Sequence, residues 1–145
     1  MTKDIRWQQR FQNFKRAFGL LRDACALNPE MLSDLAQEGI VQRFECTFEL
    51  GWKVYKDYLD YSGVVLDEAT PRKVIKECAL RGIFTAGGID PEMYLEMMLR
   101  RNVLSHVYDE TRFRQALHTI RTDYFPVLER QHAFFLQKEA ALCDG

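Results

Sequence analysis

The chain has 145 residues, the length of one domain, and at that length folding buries roughly two-thirds of the unfolded chain's surface, so a core forms without a metal or disulfides. Hydrophobic residues make up 47% and aromatic ones 12%, enough for such a core and for some aromatic packing against a partner. With 20 basic against 21 acidic residues the formal charge is −1, which argues against a nucleic-acid-coating role and leaves RNA contact to a local patch.

No stretch of 18 apolar residues is present to span a bilayer, and the first residues carry no apolar run of signal-peptide type. The expected location is the cytoplasm, with no membrane partner. Cys25, Cys46, Cys78 and Cys143 form no C-x-x-C pair. Cys46 and Cys78 fall among apolar residues and are expected as reduced packing residues.

Residues 3–25 read as one amphipathic helix, because Trp7, Phe11, Phe14, Phe18 and Leu21 step by four and three along a single face. Asn28-Pro29 breaks it. A longer helix is predicted over about 33–61, striped by Val41, Phe44, Phe48, Trp52, Tyr55 and Leu59, with Gly63 suited to the left-handed cap that ends it. Thr70-Pro71 joins an N-cap to a first-turn proline and opens a third helix carrying Val74, Ile75, Cys78 and Leu80, which stops near Gly82.

After the Gly87-Gly88 loop, Asp90-Pro91 repeats that start signal for a fourth helix, to about residue 108. Asp109 can cap a fifth over about 110–138, striped by Phe113, Leu117, Ile120, Tyr124, Val127 and Phe134. Pro126 sits inside it and predicts a kink. No alternating strand pattern appears. The expected fold is all-α: an antiparallel up-and-down helical bundle of about five helices, in a single domain over residues 1–145.

The segment richest in chemistry is RRNVLSHVYDE, residues 100–110. On a helix, with Arg101 at zero, Tyr108 falls at about −20°, Ser105 at about 40°, Asp109 at about 80°, Asn102 at about 100° and His106 at about 140°. Val103, Leu104 and Val107 take the opposite arc. Two readings fit: a solvated polar face, and a metal-free site for phosphodiester chemistry. In the second, His106 moves a proton near neutral pH and Arg101 neutralises phosphate oxygens, while RNA brings its own nucleophile, the 2′-hydroxyl.

A second segment, QRFECTFELGWK, spaces Glu45 and Glu49, and then Glu49 and Lys53, four residues apart; the latter pair has the favourable order for a helix salt bridge. Surface pairing along a helix accounts for this spacing on its own. The three histidines show no metal-ligand spacing, no cofactor motif is present, and His118 and His132 are expected as surface or packing residues.

At these two segments the sequence resembles the helical nucleotidyltransferase substrate-binding proteins, within the wider HEPN group, and is similar to the HepT-type toxins. The resemblance rests on IVQRFECTFELGWKVYKDYL at 40–59, on Thr70-Pro71-Arg72, and on Arg101-Asn102, His106, Tyr108 and Asp109 in that order. It covers about residues 5–135. It implies a bundle that forms homodimers and works beside a minimal nucleotidyltransferase encoded nearby, which carries the catalytic carboxylates this chain lacks. In the toxin relatives the motif's Arg and His cleave RNA, which maps here onto Arg101 and His106. Asn102, Ser105 and Asp109 would support them. The tyrosine two residues after the histidine accepts AMP from the partner enzyme, which maps onto Tyr108.

Three functions therefore stand open. The chain is the partner and protein substrate of the transferase, contacting it or its substrate through Arg43, Glu45, Glu49 and Lys53. Alternatively it is a metal-independent ribonuclease toxin. As a third case it is a non-catalytic dimeric module that binds the transferase's small-molecule substrate.

Overall fold

The computed structural model describes residues 5–104 and 109–144, with side chains over 5–101 and 109–143. Helix α1 is Arg6–Cys25, and Trp7, Phe11, Phe14, Phe18 and Leu21 are all buried, as their spacing predicts. A 3₁₀ turn at Pro29–Met31 follows, with the Asn28 side chain accepting from the Glu30 N–H. Helix α2, Asp34–Tyr61, starts where the Ser33 hydroxyl accepts from the Ala36 N–H. It ends in a Schellman cap: Gly63 takes φ +86°, its N–H reaches the Asp60 carbonyl, and the Val64 N–H reaches that of Leu59.

Helix α3 is Pro71–Leu80, capped by Thr70, and α4 is a single turn, Ile83–Ala86. Helix α5, Pro91–Leu104, follows Asp90, whose carboxylate accepts from the Glu92 N–H. Helix α6, Glu110–Thr119, is capped by Asp109 and runs through a π turn, Ile120–Tyr124, into α7, Phe125–Asp144. Counting that unbroken run as one, the described residues form six helices and no strand.

Three expectations need correction. The sixth helix is α4, which reads as loop in the sequence; it forms because Phe84 is fully buried, its ring 5.0 Å from those of Tyr55 and Tyr94. Leu80 and Cys46 are exposed rather than packed. Leu80 falls off the α3 stripe set by Val74, Ile75 and Cys78, and Cys46 lies on α2 between two turns whose buried faces are set by Phe44 and Phe48. At Pro126, which has no N–H to give Thr122, the chain closes a π turn with the Phe125 N–H on the Ile120 carbonyl and the helix continues.

Paired contacts fix the helix directions. Arg10 meets Asp57 and Arg43 meets Leu20, so α1 and α2 are antiparallel. Gln12 and Lys15 meet Glu139 while Arg121 meets Cys25, so α7 runs back along α1. Tyr94 meets Gln131 and Tyr124 meets Glu96, so α5 opposes α7. These three pairings define an up-down-up-down body closed by short α3 and α4.

The four long elements converge on Gly51. The Gln131 amide donates to the Gly51 carbonyl at 2.8 Å, and the Tyr94 hydroxyl donates to Gln131 Oε1 at 2.9 Å. A Cβ at Gly51 would stand 3.0 Å from both Gln131 Oε1 and the Tyr94 hydroxyl, and 3.2 Å from the Phe14 ring. Glycine is there for close approach, in a helix whose backbone any residue could adopt. Among the described residues, no helix is long and apolar enough to cross a membrane.

Candidate functional site

The antiparallel seam between α2 and α5 brings the two sequence segments together. Arg101, near the end of α5, donates from Nη1 to Glu49 Oε2 at 2.9 Å. The other Glu49 oxygen stands 3.6 Å from Lys53 Nζ, one turn along α2. One carboxylate thus bridges two cations on different helices. Beneath it the Arg101 guanidinium lies 5.4 Å from the centre of the Phe48 ring, and Lys53 lies 6.0 Å from that of Trp52.

The pairing is unequal. The Arg101 side chain is 22% exposed, against 44% for Glu49, so the aromatic support covers the cation more than the anion. The guanidinium has five N–H donors in a fixed fork, and the bond from Nη1 to Glu49 engages part of that fork. A phosphate oxygen can compete with Glu49 for it, and Glu49 would then keep Lys53 as a partner.

Glu45 is half-buried one turn further along α2, in the direction in which α5 runs. Arg43 goes elsewhere, its Nη1 donating to the Leu20 carbonyl of α1 at 3.0 Å. The four α2 residues singled out by sequence are therefore not one surface: Glu49 and Lys53 gather at the α5 seam, and Arg43 is tied to α1.

Asp109 has extended backbone, φ −78° and ψ 124°, and its carboxylate accepts from the N–H groups of Thr111 and Arg112. It is the cap expected of α6, and its place on the α5 wheel does not apply. Asn102 is on α5, with its side chain outside the described residues, as are Ser105, His106 and Tyr108 altogether.

Sequence reasoning passed over two neighbours. Phe48 belongs to the core stripe of the sequence, and its place four residues before Trp52 and next to Glu49 is the signal for a ring beneath a cation. Tyr124, also read as core, donates its hydroxyl to Glu96 at 2.8 Å. Burial, then that hydrogen bond and the Glu96 charge, push its phenol well above the ordinary value, against a smaller opposite pull from Arg100. The phenol stays protonated and ties the π turn to α5. No three His, Cys, Asp or Glu residues gather as metal ligands among the described residues.

The fold and this seam define an all-α bundle that holds an arginine at the end of one helix by a carboxylate from another. A family model described as "Nucleotidyltransferase substrate binding protein like" matches residues 9–137, from α1 through α7 and across both site segments. The chain belongs to this family. A search of curated proteins found no match to the sequence.

Proposed function

We propose that the chain is the helical partner subunit of a minimal nucleotidyltransferase, in a two-gene module of toxin–antitoxin type, and that the transferase places AMP on Tyr108. The family's description supports the association with a nucleotidyltransferase. The observation that carries the finer reading is the Arg101–Glu49–Lys53 bridge, a phosphate-competent cation held by an exchangeable carboxylate seven residues before Tyr108.

In the transfer, the Tyr108 oxygen bonds to the α-phosphorus of ATP and the bond to pyrophosphate breaks. The phenolic proton leaves to solvent or to a base on the transferase. The product is a phosphodiester carrying one negative charge, which Arg101 attracts. Co-expression with the transferase encoded nearby tests the association: the two chains should copurify as a defined complex, and separate elution would contradict it.

A second reading has its own support in the partly exposed guanidinium over Phe48. As a metal-independent ribonuclease, the chain would use His106 to take the 2′-hydroxyl proton and Arg101 to neutralise the phosphorane. The 2′-oxygen bonds to phosphorus as the bond to the 5′-oxygen breaks, and the departing 5′-oxygen takes up a proton from water, leaving a 2′,3′-cyclic phosphate and a 5′-hydroxyl. Cleavage should then persist in EDTA and fall about 10²-fold or more in His106→Ala and in Arg101→Ala. AMP on Tyr108 would silence it by occupying the phosphate position.

A further inference from the structure

A second place on the molecule is shaped to hold a ligand. Between the turn that joins α1 to α2 and the face of α6 that enters the π turn lies an open groove of about 830 Å³. Small-molecule sites generally run from about 300 to 1,000 Å³. One wall carries Arg114, His118 and Arg121, spaced by four and three residues and so on one helix face. The turn and the start of α2 contribute Glu30, Leu32 and Asp34 on the other side, and Leu117, on α6 and mostly buried, lies at the base of the cationic wall.

Both walls are held in place. Arg121 Nη2 donates to the carbonyls of Cys25 at 2.8 Å and Leu27 at 2.9 Å, fixing the cationic wall to the end of α1. The Gln37 amide donates to the Pro29 and Leu32 carbonyls at 3.4 and 3.2 Å, which braces the turn and leaves its Oε1 as an acceptor. Among the described residues Arg114 is engaged with Glu110, in a pair 73% and 79% exposed, which solvent screens and an anionic ligand can displace.

The charge arrangement selects among ligands. A bare polyanion meets Glu30 and Asp34, and a polyamine meets the two arginines. A running RNA backbone needs cations throughout. The groove matches a molecule with an anion at one edge, a flat apolar body, and an amine at the other edge. We infer that it binds a nucleoside monophosphate, with the phosphate on Arg114 and His118 beside the fixed charge of Arg121, the base against Leu32, and the base's amino group toward Glu30 and Asp34.

The site is separate from Arg101, since Gln37 lies twelve residues, or about 18 Å, from Glu49 along α2. Neither site's failure would decide the other.

The test is a titration of the full chain with AMP, free of magnesium and transferase, followed by amide NMR, with inorganic phosphate and spermidine as parallel probes. Saturable binding of AMP is expected, tighter than phosphate, with shifts at the Gln37 side-chain amide and at Leu117. Arg114→Ala with His118→Ala removes two exposed side chains and should weaken AMP at least tenfold. Glu30→Gln with Asp34→Asn should weaken AMP and, by removing the repulsion, let phosphate bind at least as tightly as before. Tyr108→Phe should bind AMP as the parent chain does, which separates this site from the proposed AMP acceptor. The inference is overturned by no saturable binding, by equal affinity for AMP and phosphate, by preference for spermidine, or by full AMP affinity in the Arg114/His118 variant.

Discussion

Arg101 is tuned by what holds it. Glu49 is more exposed than the guanidinium it pairs with and has Lys53 as a second partner, so the pair contributes little to stability, at most about 1 kcal/mol. Replacing the carboxylate by an amide frees Arg101 without removing bulk. Glu49→Gln should therefore leave the melting temperature nearly unchanged and strengthen binding of a short single-stranded RNA oligonucleotide, read by fluorescence anisotropy. Weaker binding in that variant would mean that Glu49 orients Arg101 for phosphate rather than competing with it. The pairing itself was not legible in the sequence. Glu49 and Lys53 announce their own i,i+4 contact, but Arg101 is 52 residues away, and only the register of α5 on α2 brings it there.

Within the elements, local signals carried far. The Ser33, Thr70, Asp90 and Asp109 caps and the Gly63 stop act through hydrogen bonds within a few residues, so each could be read without knowing the tertiary structure. The turn α4 could not, because its cause is the burial of Phe84 against rings from α2 and α5. The π turn before Pro126 likewise answers a steric demand that the sequence shows only as a proline inside a helical pattern.

The seam between α1 and α7 has a further property. His132 stacks on Phe18, ring centres 4.6 Å apart, and lies 5.9 Å from Phe11. Burial, and then the charges of Lys15 and Arg22, lower its pKa below the ordinary 6.5, with Glu129 and Glu139 opposing. The unfolded chain thus takes up this proton at a higher pH than the folded one. The stabilisation is fully present above about pH 6.5 and is lost as pH falls through the folded-state value. Denaturant midpoints measured between pH 5 and 8 should fall on the acid side, and His132→Phe should flatten that fall. An unchanged slope in the variant would place the titrating group elsewhere.

At the scale of the whole molecule, all four long elements depend on the clearance at Gly51. Gly51→Ala gains helix propensity of up to about 1 kcal/mol but forces its methyl against Gln131, Tyr94 and Phe14. Overpacking of this kind costs about 1–3 kcal/mol, so a net loss of stability is expected by chemical denaturation. A stabilised variant would show that the three neighbours yield freely.

The family resemblance also leads us to propose a homodimer. Light scattering should give twice the chain mass of 17.1 kDa, and a monomer persisting at micromolar concentration would contradict that assembly.

The central claim is that a partner nucleotidyltransferase modifies this bundle at the helix end marked by Arg101. Intact mass spectrometry after incubation with the proposed partner transferase, ATP and magnesium tests it most directly. The account predicts mass increments of whole adenylyl groups that disappear in Tyr108→Phe. Unchanged mass in the parent chain, or increments that persist in Tyr108→Phe, would contradict it.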